Sequence, residues 1–237
     1  MLALRVQHQN IQLLAEAPIT KVLWKFFTPA FAGVVINSLY NIVDRIFVGQ
    51  GVGALALSGL SVVFPIMIII MAFGMLIGMG AGVRVSIHLG KKSYNDAEHV
   101  LGNALILLIT ISLAITVVGF LIKEPLLKLF GAGADTIEYA NDYLSIILLG
   151  TTFNMVWFSL NNIIRSEGNA KIAMYSMLIT AGTNIVLDPI FIFVFDMGVK
   201  GVAIATIISQ LILCVWVIRH FRSASSVIRL RRRHLRL

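Results

Sequence analysis

Two aspartates lie in segments that otherwise carry almost no charge. Asp44 closes the stretch Asn37-Ser-Leu-Tyr-Asn-Ile-Val-Asp44, and Asp188 lies four residues after Asn184 in a second apolar run. An ionisable group is costly to bury in a bilayer, so such a residue indicates a functional site. The alternatives are that Asp44, beside Arg45, only marks a helix end at the membrane interface, and that Asp188 is purely structural.

Amides and a hydroxyl accompany the two carboxylates. Asn37 and Asn41 precede Asp44 at spacings that place all three on one helical face, and Asn184 shares a face with Asp188. Pro189 removes a backbone donor directly after Asp188 and is expected to bend that helix. Carboxylate, carboxamide and hydroxyl oxygens are the ligands that a hard cation such as sodium prefers. They would equally suit a proton relay.

The composition identifies the elements that position these groups as membrane helices. Of 237 residues, 58% are hydrophobic and 13% charged, whereas soluble domains have roughly 45–50% and about 25%. These values exclude a soluble enzyme domain and a disordered chain, and the single cysteine, Cys214, excludes a disulfide framework. Uncharged runs of this length without polar alternation also exclude a membrane β-barrel.

Six segments are long and apolar enough to cross a bilayer, which takes about 20 residues each. The sequence therefore predicts an all-α membrane protein with six transmembrane helices. In the fourth segment, Asn154 and Asn161 either line the interior or bond across helices. The predicted spans cover approximately residues 19–45, 53–84, 98–122, 136–164, 171–195 and 200–219.

The distribution of lysine and arginine predicts the orientation. If the N-terminus is inside, fifteen of these residues lie on the cytoplasmic side and four on the opposite side, so we expect both termini to be cytoplasmic. Residues 1–18 then form a cytoplasmic segment without a cleaved signal peptide. Residues 223–237 form a basic cytoplasmic connector that stops in mid-pattern, and we expect it to contact lipid rather than nucleic acid.

No catalytic arrangement is present in the sequence. The five histidines lie at or near loops and tails without metal-ligand spacing. The stretch Gly49-Gln-Gly-Val-Gly-Ala54 lacks the phosphate-loop lysine and does not follow a strand. We therefore expect neither an enzyme nor an organic cofactor.

Several stretches of the chain resemble the multidrug and toxic compound extrusion (MATE) transporters. Each stretch by itself is only weakly diagnostic of the family, but their order and spacing across nearly the whole chain are specific to it. They are Tyr40-Asn-Ile-Val-Asp-Arg-Ile-Phe-Val-Gly-Gln50, Asn161-Asn-Ile-Ile-Arg-Ser-Glu-Gly-Asn169, Asn184-Ile-Val-Leu-Asp-Pro-Ile-Phe-Ile-Phe193 and the following Gly198-Val-Lys-Gly-Val-Ala-Ile-Ala-Thr-Ile-Ile-Ser-Gln210.

This resemblance implies a sodium- or proton-coupled antiporter of the bacterial inner membrane that expels drug-like organic cations. It implies a cation or proton site, with sodium as the candidate metal, at Asp44, Asn184, Asp188 and Thr206. It also matches the bending proline of the first helix to Pro29, and polar residues that line the lobe to Tyr40, Tyr143 and Asn161.

The resemblance implies a whole transporter of twelve helices, arranged in two six-helix lobes with the substrate between them. The chain supplies only one lobe, the N-terminal one, so we expect a fragment or truncated product whose partner is the missing C-terminal lobe; assembly of two copies is the less favoured option. The other candidate functions are a non-transporting membrane scaffold, or degenerate lobe, and a related lipid-linked sugar flippase.

Overall fold

The computed structural model describes residues 18–223 and 226–231, without the side chains at positions 21, 22, 26 and 37. Within these residues the chain forms six long helices and one short π-helical turn, Ile190–Val194. The long helices are α1 (Ile19–Gly51), α2 (Ala54–Gly90), α3 (Tyr94–Leu129), α4 (Ile137–Ser166), α5 (Ala170–Pro189) and α6 (Gly198–Arg222).

All six helices are long and apolar enough to span a membrane. Large apolar side chains also cover the outside of the bundle: Leu76, Val117 and Leu121 are 72%, 60% and 77% exposed. Because this much continuous apolar surface is unfavourable in water, it fits a lipid environment. The predicted all-α, six-span membrane architecture is confirmed.

Helix α4 lies at the centre of the bundle and packs against α2, α3 and α6. Its core side chains include Leu144, Leu148 and Met155, all at most 1% exposed. Hydroxyl groups tie α4 to its neighbours: Ser159 Oγ donates to the Gly74 carbonyl of α2 at 2.6 Å. The central position of α4 means that its side chains can reach groups on several other helices.

Helix α1 lies at one edge of the bundle and packs mainly against α5. Two glycines allow the close approach. A Cβ atom at Gly33 would lie 2.5 Å from Met177 Sδ, and one at Gly51 would lie 2.4 Å from Ile192 Cγ2. No larger residue fits at either point without a shift of its neighbour, so α1 approaches α5 closely at Gly33 and approaches the π-helical turn closely at Gly51.

Several helices are longer than the predicted spans. Helix α3, for example, is predicted over residues 98–122 but runs from Tyr94 to Leu129, because polar turns extend it at both ends. Helix α1 is continuous through Pro29. After Pro189 the α-helical pattern changes to the π-helical turn, which accommodates the missing proline donor. The predicted segment 1–18 lies, except for its last residue, outside the described residues, as does the connector apart from residues 223 and 226–231.

Candidate cation or proton site

The contact between α1 and α5 brings the two intramembrane aspartates together. Asp44, two turns before the end of α1, and Asp188, at the end of α5, have carboxyl groups close enough to interact directly. Asn184, one turn before Asp188, interacts with the Asp188 carboxyl group. The close approach of Gly51 to Ile192 of the π-helical turn keeps the end of α1 beside the end of α5, where Asp188 lies.

The carboxylates are buried and short of hydrogen-bond partners. Asp188 is 0% exposed, Asn184 is 2% exposed, and Asp44 is partly buried. Within the part of the chain that the structure describes, three buried carboxylate oxygens lack a partner of regular hydrogen-bond geometry: Asp44 Oδ1, Asp188 Oδ1 and Asp188 Oδ2. A buried charge is strongly unfavourable unless it is paired, and two adjacent carboxylates repel each other as well. A bound cation or a shared proton would relieve both penalties.

Arg45 is the basic residue next to Asp44 in the sequence, and its positive charge acts on the Asp44 carboxylate. Its guanidinium, however, lies over the ring of Phe64, 5.3 Å from the ring centre, and the residue is exposed. Because the guanidinium is exposed, water and salt screen its attraction for the Asp44 carboxylate. The alternative interpretation of Asp44 as a mere helix end does not explain its contact with Asp188.

Two tyrosines and a threonine complete the cluster. Tyr143 of α4 is 5% exposed and lies within electrostatic range of Asp44, Asp188 and Tyr40. Thr206 of α6 interacts with Tyr143, while its own hydroxyl donates to the Val202 carbonyl at 3.0 Å. Because that bond uses its only proton, Thr206 presents acceptor lone pairs to other groups. The structure thus connects Thr206 to the aspartates through Tyr143.

The remaining predicted residues lie in different places. Asn41 contacts Tyr40 at the margin of the cluster, and the side chain of Asn37 lies outside the described part of the structure. Asn154 is partly buried in α4, three turns from Tyr143 along the helix, or roughly 16 Å.

Asn161 lies at the seam between α4 and α5. Its amide donates to the Ala173 carbonyl at 3.2 Å and to Ser176 Oγ. These contacts match the cross-helix bond that the sequence left open as an alternative to an interior lining.

Sequence reasoning did not select two other buried carboxylates, Glu98 and Glu167, which are 6% and 7% exposed. Glu98 is at the first residue of the third predicted span and Glu167 lies between the fourth and the fifth, and at both places glutamate is normally solvated. No local signal in the sequence distinguishes them, because the groups that cover them are distant along the chain.

Comparison with known proteins supports the sequence resemblance. The family model described as MatE matches residues 29–190. The multidrug export protein MepA of Staphylococcus aureus strain MRSA252 is 29% identical over 223 residues, which cover 94% of this chain and 49% of that protein. MepA of Staphylococcus haemolyticus is 32% identical, covering 87% of this chain and 46% of that protein.

A solved structure gives the same result for the fold. A transporter of the MOP superfamily from Pyrococcus furiosus superposes with a TM-score of 0.88 at 28% identity, covering 96% of this chain and 50% of that one. For that transporter, the reverse polarity of the binding pocket suggests a different function. The chain spans about half the length of these relatives.

Proposed function

Because the chain belongs to the MatE family, we propose that it is the N-terminal lobe of a cation-coupled antiporter that exports drug-like organic cations. Membership of a transporter family confirms the prediction that the chain is not an enzyme. The observation that carries the proposal is the pair of buried carboxylates, Asp44 and Asp188, with three oxygens that lack a partner of regular hydrogen-bond geometry among the described residues. The coupling ion, sodium or a proton, is a transported substrate of this site.

The pair can convert ion binding into a force between two helices. With no ion bound, repulsion between the carboxylates pushes α1 away from α5; a bound sodium ion or shared proton removes that repulsion. Helix α1 can respond because it lies at the bundle edge and contains Pro29, which removes one internal hydrogen bond of the helix. In this proposal Asp44, Asn184, Asp188 and Thr206 supply the ion ligands, and Tyr40 and Tyr143 enclose them.

The drug-like substrate lies, in this proposal, between this lobe and a second one. Transporters built from repeats bind substrate at the repeat interface, and the matched relatives are about twice as long as the chain. The second lobe is the C-terminal half of the same transporter or, less favoured, a second copy of this chain. With both termini in the bacterial cytoplasm, the aspartate pair lies in the outer half of the inner membrane, since Asp44 is near the end of α1.

A substrate of another class is the main competing function. Fold alone does not determine substrate, and the Pyrococcus furiosus relative illustrates this, because a different function is suggested for it. A lipid-linked sugar flippase would use the same helices. The scaffold alternative is less consistent with the site, because a scaffold gains nothing from two adjacent buried carboxylates, which reduce stability.

Substitution of the two aspartates tests the proposal in a chain joined to a second six-helix lobe of the family. Asp44→Asn and Asp188→Asn should each reduce ethidium efflux to the background level while membrane expression is retained. The double variant should be no worse than either single one, since residues that act as a unit are strongly non-additive.

Asp135→Asn is the matched control, because Asp135 is an exposed loop aspartate, and its efflux should be normal. Near-normal efflux by either site variant, with normal dependence on sodium and pH, would contradict the shared site. If the chain instead moves a lipid-linked sugar in an ion-dependent way and exports no drug, the result would favour the flippase.

A further inference from the structure

Glu98 and Glu167 lie at the end of the lobe opposite the aspartate pair. On α6, Thr206 lies on the side of the aspartate pair and His220 on the side of Glu167, and the 14-residue step from one to the other corresponds to about 21 Å along the helix. Glu98 is in the first turns of α3 and Glu167 lies between α4 and α5. Their side chains are 8% and 0% exposed. A carboxylate this deeply buried requires hydrogen-bond donors or a positive charge.

The segment that follows α6, residues 226–231, supplies those donors to Glu167. The Ser226 hydroxyl lies 2.8 Å from Glu167 Oε1 and 2.7 Å from a second acceptor, the Ile228 carbonyl, and the Ile228 backbone N–H donates to Glu167 Oε1 at 3.3 Å. The ring nitrogen His220 Nε2, at the end of α6, lies 3.7 Å from Glu167 Oε2. Glu167 therefore contacts the segment through one hydroxyl and one backbone amide.

The same segment satisfies Glu98. The Arg229 backbone N–H donates to Glu98 Oε1 at 3.1 Å, and Arg231 Nε lies 3.3 Å from Glu98 Oε2. The two carboxylates thus receive donors from four of six consecutive residues. Hydrogen bonds to a charged acceptor are roughly twice as strong as those between neutral groups.

An apolar anchor and a backbone bond add to these contacts. Ile228, whose backbone N–H contacts Glu167, is 0% exposed and directly precedes Arg229, whose backbone N–H contacts Glu98. Leu230 N–H donates to the Phe221 carbonyl at 2.9 Å. The side chain of Arg229, in contrast, is exposed. The segment has one buried face and one solvent face.

We propose that Glu98 and Glu167 form a docking site for the basic segment 226–231, which moves with the six-helix lobe as part of it. The docking site recognises backbone amides, one hydroxyl and one guanidinium. It is separate from the aspartate pair and does not depend on the proposed function.

Cysteine labelling of the full chain in membranes tests the docking. Cys214, the single native cysteine, is replaced by alanine, and one probe is introduced at a time: Ile228→Cys on the buried face or Arg229→Cys on the exposed face. We expect Ile228→Cys to react with a water-soluble maleimide at least tenfold more slowly than Arg229→Cys. Equal rates in this background would overturn the proposal.

Removal of the two carboxylates should release the segment. In the Glu98→Ala/Glu167→Ala background we expect the Ile228→Cys rate to rise at least tenfold, because a charge-assisted hydrogen bond contributes about a factor of ten or more. The matched control removes two exposed acids, Glu124→Ala/Glu138→Ala, and should leave the rate unchanged. An unchanged rate in the first pair, or an equal rise in the control pair, would refute the docking site.

If the alanine pair does not accumulate in membranes, Glu98→Gln/Glu167→Gln decides the question. Glutamine keeps one acceptor oxygen but removes the charge, so the bonds become weaker without being lost. We expect the Ile228→Cys rate to rise about threefold or more. No change with the glutamine pair would show that burial of Ile228 alone holds the segment.

Discussion

Asp188→Asn is expected to stabilise the lobe while removing its response to the coupling ion. Both oxygens of Asp188 and Oδ1 of Asp44 are buried acceptors without a partner of regular geometry among the described residues. Two facing carboxylates offer only acceptors, so neither can satisfy the other. An asparagine at position 188 supplies an N–H₂ group that can donate to Asp44 Oδ1, and it also removes one of the two negative charges.

The size of the effect follows from the number of atoms that gain a partner. A buried unsatisfied polar group costs about 1–3 kcal/mol, and more when it is charged. One new hydrogen bond across the pair therefore predicts a gain of about 2 kcal/mol in the free energy of unfolding. For a chain of this length a change of that size raises the melting temperature by about 4–8 °C.

The assay is thermal unfolding of the purified chain in detergent, followed by tryptophan fluorescence with and without sodium and at neutral and acidic pH. The unsubstituted chain should melt higher with sodium if sodium is the coupling ion, and higher at acidic pH if the proton is. A ligand at a hundred times its dissociation constant adds about 2.7 kcal/mol. The Asp188→Asn variant should lose this response, and the exposed-site control Asp135→Asn should stay within about 0.5 kcal/mol and retain it.

Two outcomes of the melting experiment would contradict the prediction, one in full and one in part. If Asp188→Asn melts at a lower temperature and keeps the full response to sodium and pH, the carboxylates are satisfied by other groups and do not form an ion site. A lower melting temperature together with loss of the response would show that Asp188 binds the ion. It would also show that its oxygens do not destabilise the lobe when the ion is absent.

Three further predictions concern orientation, activity and packing. A cysteine near Lys128 should react with an external impermeant reagent and one near Lys91 should not; the reverse pattern would invert the topology. Residues 1–237 expressed alone should insert into the membrane without ethidium efflux, since a cleft between repeats needs both walls, and robust efflux would indicate a homodimer. Gly51→Ala should lower stability by about 1–3 kcal/mol, because its Cβ would lie 2.4 Å from Ile192. Gly80→Ala, with open space around it, should not, and equal effects in calorimetry would contradict the proposed α1–α5 contact.

The sequence by itself determined the architecture of this protein. In a bilayer every backbone polar group must be satisfied internally, by a helix or a closed barrel, and an uncharged apolar run of this length without polar alternation is compatible only with the helix. That rule requires no knowledge of which helices are neighbours, and it predicted all six. The periodicity of a helix likewise placed Asn184 on the same face as Asp188 before any tertiary contact was considered.

Only the tertiary structure decided which faces meet. Six helices of similar hydropathy can pack in many arrangements, and the choice depends on side-chain shape, such as the space that Gly51 leaves for Ile192. That choice places Asp44 against Asp188 and Asn161 against Ser176. The burial of Glu167 depends in turn on Ser226, 59 residues away in the sequence. Local sequence predicts a solvated loop glutamate at position 167, because the donors that make its burial favourable come from a distant segment that only the folded lobe brings to it.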